Sequence, residues 1–228
     1  MHDAMAIIPL RAGSKGLPGK NVRPIAGKPL YRHALDQAMQ VIGQCVISTD
    51  IAEVLNARFP KGCRVVPRPA HLAGDDTPMA PVLKHLFEQL GDLPQTAVLL
   101  QATSPLRRNE DIQRALELFN EGDFELVMSV VRTDPSILKY GFADQSRFTP
   151  ISDPDYCFAN RQSLPQIVRP NGAVYVFSPH RFMETGSLAS RSIGSIEMPK
   201  SHSIDIDTPA DLNAVETLLL ERAFSKAS

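Results

Sequence analysis

Near the start of the chain, Leu10-Arg-Ala-Gly-Ser-Lys-Gly-Leu-Pro-Gly-Lys-Asn21 combines three glycines, a hydroxyl and three cations, directly after the apolar run Ala4-Met5-Ala6-Ile7-Ile8. Glycine lets a backbone turn tightly and bring its N–H groups against an anion. Arg11, Lys15 and Lys20 supply the opposing charge. Such a loop suits a nucleoside triphosphate. It is not a Walker P-loop, because Gly-x-x-x-x-Gly-Lys-Ser/Thr occurs nowhere, and the Gly13/Gly16/Gly19 spacing is not a dinucleotide fingerprint. The competing reading is an ordinary surface loop with solvated lysines.

Ser203-Ile-Asp-Ile-Asp207 places two carboxylates two residues apart. In an extended backbone these share a face, so Asp205 and Asp207 point together while Ile204 and Ile206 turn to the core. Two hard oxygen donors on one rim suit Mg²⁺ that also holds phosphate oxygens; a solvated strand edge is the alternative. Asp211 stands apart, as a capping residue of the helix that begins after Thr208. Gln101 ends an apolar run and falls beside the glycine loop, or else bonds a neighbouring loop. Asp50 fits a helix N-cap. Arg161 and Arg169 lie in a segment rich in amides, and their planar forks suit carboxylate or phosphate, or a surface salt bridge.

These residues need a frame. Apolar runs at Met5–Leu10, Cys45–Ser48, Arg64–Pro67, Ala97–Leu100 and Leu126–Val131 read as strands, and Asn171–Phe177 as another. Helical stripes separate them: Leu30, Ala34, Leu35, Ala38; a helix near Ala52–Phe59; Val82, Leu83, Leu86, Phe87 and Leu90 behind a Thr77 cap; Ile112, Ala115, Leu116 and Phe119 behind Asn109. A last helix starts at Thr208-Pro209 and buries Leu212, Val215, Leu218 and Leu219. This alternation predicts an α/β fold, a mostly parallel sheet with helices on both faces. Ligands then bind beyond the carboxyl ends of the strands, where the glycine loop falls. From Arg132 to Pro170 the pattern breaks into a long excursion, of the kind that is usually functional or interfacial.

Composition narrows the class. A net charge of −1 leaves no footprint for nucleic acid or a membrane surface. Cys45, Cys63 and Cys157 are odd in number and lack metal-ligand spacing, which favours free thiols and the cytoplasm. The six histidines have no ligand spacing, and no apolar stretch is long enough to span a bilayer.

Taken together these pieces resemble the CMP-sialic acid synthetase (acylneuraminate cytidylyltransferase) family. The matching segments are Arg11–Asn21, Gly27-Lys-Pro-Leu30, Ser48-Thr-Asp50, Arg68-Pro-Ala-His-Leu72, Leu100-Gln-Ala-Thr-Ser-Pro-Leu106, Arg161-Gln-Ser-Leu-Pro165, Arg169-Pro-Asn-Gly-Ala-Val-Tyr175 and Ser203–Asp207, in the family's order. The resemblance implies one Rossmann-like domain over 1–228 of the nucleotide-diphospho-sugar transferase type, with 132–170 as a dimerisation and sugar-binding arm. It implies that CTP is attacked by the anomeric hydroxyl of a nine-carbon sugar acid, giving a CMP-sugar and pyrophosphate. By that pattern Arg11, Ser14, Lys15, Lys20 and Asn21 belong to the nucleotide site, with Arg68 by the cytosine. Asp205 and Asp207 would be the Mg²⁺ ligands. Gln101, Asn171 and Tyr175 fall on the sugar side, and Lys139, Arg161 and Arg169 face the sugar from the arm, partly reaching a neighbouring subunit. Lys20, Gln101 and Asp207 are the expected catalytic residues of a homodimer. Ala102 and Ala12 depart from the usual proline and glycine, and Gly74–Pro81 matches less well. A legionaminic or octulosonic acid is the alternative substrate, and a non-catalytic nucleotide-binding module the alternative class.

Overall fold

A computed structural model describes residues 3–14 and 16–227, with the side chains of 225–227 outside the description. Eleven strands and six helices follow one another as β1 (Ala4–Pro9), β2 (Pro24–Ile25), β3 (Lys28–Pro29), α1 (Leu30–Val41), β4 (Cys45–Thr49), α2 (Ala52–Leu55), β5 (Cys63–Pro67), α3 (Met79–Leu90), β6 (Thr96–Leu100), α4 (Asn109–Asn120), β7 (Leu126–Thr133), β8 (Gly141–Asp144), β9 (Arg147–Pro150), β10 (Ile167–Phe177), α5 (Pro179–Thr185), β11 (Ile193–Glu197) and α6 (Pro209–Ala227). Seven strands form the main sheet in the order β11-β7-β10-β6-β1-β4-β5. All its pairings are parallel except those of β10, which runs antiparallel to both neighbours.

Alternation along the strands sorts the core into two layers, because successive side chains leave opposite faces of a strand. Ala6, Ile8, Val98 and Leu100 meet α1 and α4 through Ala34, Leu35, Ile112 and Ala115. Ile7, Ala97 and Leu99 meet α3 and α5 through Leu83, Leu86, Phe87 and Phe182. A third cluster joins Leu17 of the glycine loop, Ile25, Leu30, Leu106 and Ile206 to Leu212 and Val215 of α6. That cluster anchors the glycine loop and the Asp205–Asp207 segment to α6.

Some local expectations change. The helix near 52–59 is a single turn, Ala52–Leu55. Pro78 takes the extended position before α3 without a side-chain cap, so Thr77 does not cap it. The cap position before α4 is Arg108, not Asn109, and Asp111 accepts the Arg108 backbone N–H at 2.9 Å. Thr208 and Asp211 do cap α6: Asp211 accepts the Thr208 N–H at 2.8 Å while the Thr208 hydroxyl takes the Asp211 N–H at 3.2 Å. The excursion is narrower than predicted, since β7 runs on to Thr133 and β10 begins at Ile167. Between them lie the β8–β9 hairpin and three short 3-10 turns. The three cysteines are free thiols.

Candidate active site

Four parallel strands, β1, β4, β5 and β6, release their chains at one rim of the sheet, and the residues that follow them assemble a cleft of about 490 Å³. The glycine loop after β1 is held from both sides. Asp50 Oδ1 accepts the Ala12 N–H at 2.8 Å, and the buried Asn21 donates through Nδ2 to Arg11 O at 3.0 Å. Asp50 therefore fastens this loop rather than capping α2, whose preceding N–H, that of Ile51, is taken by Thr49 Oγ1. Of the three glycines, Gly16 is fixed by proximity: a Cβ there would stand 2.5 Å from the Asp207 carbonyl oxygen, while one on Gly13 would meet nothing within 4 Å.

Two cations of the cleft, Arg11 and Lys20, are paired with carboxylates. Arg11 is ion-paired with Asp75. Lys20 Nζ donates to Ile206 O at 2.6 Å and to Asp207 Oδ1 at 2.9 Å. Arg68 is buried, with its fork fixed on Ser48: Nε donates to the hydroxyl at 3.2 Å and Nη2 to the carbonyl at 2.9 Å. Burial pushes its guanidinium down to about 10, Asp50 opposing the fall and Arg11 adding to it, so it stays cationic at neutral pH. Ser14 also lines the cleft. Lys15 lies outside the described residues.

Asp205 and Asp207 both line the cleft, but from an irregular segment and not from a strand. Between them Ile206 is fully buried, and its N–H donates to Thr103 O at 3.0 Å. Desolvation raises the Asp205 carboxyl above the ordinary carboxylate range; a hydrogen bond with the Thr103 hydroxyl opposes this and the Asp207 charge adds to it. Two hard oxygen donors that repel each other across a cleft fit a divalent cation, which would relieve that repulsion. Among the described residues no group of three or more His, Cys, Asp or Glu forms a metal cluster. A cation held here would complete its shell with substrate oxygens and water.

Gln101 stands at the end of β6 in the cleft. Opposite it β10 bulges between Pro170 and Tyr175, and Gly172 takes φ +78°. A Cβ on Gly172 would stand 3.3 Å from Gln101 Oε1, so glycine serves both the turn and the close approach. Asn171, expected on the sugar side, has a buried side chain and is not among the residues that line the cleft. Its Oδ1 accepts from Ser129 Oγ at 2.5 Å and Ala173 N at 3.2 Å, and its Nδ2 donates to Ser203 Oγ at 2.9 Å. Its polar capacity is thus used in shaping the bulge. Tyr175 is half-buried; desolvation raises its phenol above the usual value and the charge of Asp205 adds to the shift, placing the two within electrostatic reach.

The three expected arm residues are not brought to this cleft. Lys139 ends a 3-10 turn, Arg161 is exposed and paired with Asp134 at 3.1 Å, and Arg169 donates to Pro170 O at 3.3 Å. The cleft also holds residues that the sequence did not mark: Asp75, Asp76, Met79 and Thr103. Thr103 falls inside the Gln-Ala-Thr-Ser-Pro turn, which is its signal. Asp75 and Asp76 belong to the stretch that departs from the family pattern and carried none.

The cytidylyltransferase family model matches residues 5–226. The chain belongs to the cytidylyltransferase family. It is 31% identical over 221 residues to an N-acylneuraminate cytidylyltransferase of Streptococcus agalactiae serotype V, covering 91% of this chain and 51% of that protein. It is 32% identical over 226 residues to a CMP-N,N'-diacetyllegionaminic acid synthase of Legionella pneumophila, covering 94% of this chain and 95% of that one. The chain thus spans about half the length of the first of these relatives. A solved CMP:2-keto-3-deoxy-manno-octonic acid synthetase complexed with CTP shares the fold, with a TM-score of 0.73 at 19% identity over 96% of this chain and 99% of that one. No helix among the described residues is long and apolar enough to cross a membrane.

Proposed function

We propose that this cytidylyltransferase activates a nine-carbon sialic-type sugar acid with CTP, releasing pyrophosphate, and that N-acetylneuraminate is its substrate. The observation that carries this is the convergence of the glycine loop, Lys20, Arg68, Gln101 and the Asp205/Asp207 pair at one set of parallel strand ends, in a chain matched by the family over residues 5–226. In-line attack on the α-phosphorus asks little covalent help of the protein, so positioning and charge neutralisation dominate. Arg11, Ser14, Lys15, Lys20 and Asn21 belong to the nucleotide site, with Arg11, Lys15 and Lys20 on the phosphates and Arg68 by the cytosine. Asp205 and Asp207 would hold Mg²⁺, which when bound neutralises phosphate charge.

The anomeric hydroxyl oxygen forms the new bond to phosphorus as the bond to pyrophosphate breaks. Gln101 orients the sugar, and Asp207 receives the hydroxyl proton. Lys20, already 2.9 Å from Asp207, moves its charge to the departing oxygens. Lys139, Arg161 and Arg169 serve the sugar carboxylate from the arm of a second subunit, which explains why they stand away from the cleft of their own chain. The arm's apolar exposure supports that homodimer: Phe158 is 92% and Phe142 72% exposed.

A second reading, legionaminic acid as substrate, is favoured by the Legionella relative, which alone of the two is matched along almost its entire length. Assaying pyrophosphate release from CTP with N-acetylneuraminic, legionaminic, pseudaminic and octulosonic acids tests both. Preference for N-acetylneuraminate is expected, and preference for the octulosonate would overturn the nine-carbon assignment.

A further inference from the structure

Arg107 is the largest of the fully buried side chains, with 1% of its surface exposed. Burial pushes its guanidinium down to about 9, Asp111 opposing the fall, so the group is still charged at neutral pH. Among the described residues its donors reach uncharged acceptors. Nη1 donates to Ala173 O at 2.6 Å and to Gln101 O at 3.3 Å, and Nη2 to Gln37 Oε1 at 2.9 Å. Gln37 Nε2 in turn donates to the Arg107 carbonyl. Nε is buried without a hydrogen-bond partner.

A buried cation held by carbonyls is a poor stabiliser, since well-packed apolar residues of similar volume often serve as well or better. The two carbonyls it joins are informative. Gln101 O closes β6 directly behind the Gln101 side chain, and Ala173 O follows Gly172, whose missing Cβ lets the Gln101 carboxamide pass. One guanidinium therefore ties together the two backbone segments that bracket Gln101. Gln37 holds that guanidinium from α1, inside a separate cavity of about 830 Å³ that shares no lining residue with the front cleft.

We propose that Gln37 and Arg107 are positioning residues that fix the Gln101 carboxamide for the sugar acid, without touching either substrate. The role of Gln101 rests on the reaction proposed above; the clamp itself does not. Removing the Gln37 amide frees one arm of the fork, and the gap between β6 and the β10 bulge loosens. Displacements of about 1 Å at a reacting geometry can lower rates on the order of 10²-fold.

The test is Gln37→Leu, compared with Gln101→Ala and the double variant, with circular dichroism confirming the fold. The Gln101 side-chain amide signal, assigned in ¹⁵N spectra by its loss in Gln101→Ala, should shift or broaden in Gln37→Leu while the Asn21 amide signal in the same cleft stays put. In the assay, Gln37→Leu should raise the sugar-acid KM or lower kcat by roughly tenfold, with the KM for CTP unchanged. Its effect should vanish in the Gln101→Ala background. An unmoved Gln101 signal overturns the clamp, as does full additivity of the two substitutions. If Gln101→Ala alone leaves turnover intact, the reading of Gln101 in the reaction fails, and the amide signal still decides the clamp.

Discussion

Arg68 and Arg107 are buried with their forks held on backbone carbonyls and neutral side-chain oxygens, whereas Arg161 and Arg169 are exposed to water. Arg68 follows the edge strand β5 and Arg107 the turn between β6 and α4, and burial holds their bonded donors in fixed directions. Arg161 belongs to a segment of short turns and one hairpin with aromatic side chains open to solvent, and Arg169 to the exposed first residues of β10. On the proposed reading, a single chain completes its nucleotide end and leaves its sugar end to a second copy. Under the proposed function, the two substrates would be recognised by different means, one by a preformed cradle and the other by parts that a second subunit brings together.

That contrast can be broken most sharply at Lys20. Lys20→Met should lower turnover by about 10²–10³-fold, the size of losing one transition-state donor, with the melting temperature little changed. Survival of activity would remove the preformed cradle from the account. Next comes Gly16→Ala, whose added methyl must displace the Asp207 backbone. We expect a loss of roughly tenfold or more in kcat/KM there, while Gly13→Ala, facing open space, behaves as the parent.

On the arm the effects should fall elsewhere. Arg161→Ala should change stability by less than about 1 kcal/mol, as expected for an exposed ion pair, yet raise the sugar-acid KM several-fold without touching the KM for CTP. Phe158→Asp should shift the protein toward monomer in sedimentation experiments and lower sugar use in parallel. A monomeric parent would contradict the division between cradle and arm.

The smallest effect belongs to the α6 cap. Hydrogen bonds from the Thr208 hydroxyl and backbone hold the Asp211 carboxyl below the usual carboxylate range. This stabilisation is fully present above the unfolded pKa near 4 and is lost as the pH falls through the depressed folded value. Asp211→Ala should therefore destabilise by about 1 kcal/mol near neutrality, and the difference in thermal unfolding should close in acid.

Much of the sheet and the cleft was legible because their signals are local. The β-α alternation, the glycine loop and the two aspartates flanking buried Ile206 each announce themselves within a few residues. What escaped depends on distant neighbours. Asp50 looks like a helix cap until the loop of β1 folds beside it and offers the Ala12 N–H. For Asn171 the sequence carried no sign that Ser129 and Ser203 would come from other segments to hold its amide. Asp75 and Asp76 follow a short turn with no periodicity, so nothing in their spacing placed them in the cleft. Arg107 was invisible as a buried residue because an arginine after Ser-Pro-Leu reads as surface.

The most direct test is pyrophosphate release from CTP by the purified protein, with sugar acid and Mg²⁺ added singly and together. The account expects release only when N-acetylneuraminate and Mg²⁺ are both present, and its near-complete loss in Asp207→Asn while CTP binding largely persists. Tight CTP binding with no release under any combination would contradict it and leave a nucleotide-binding module instead.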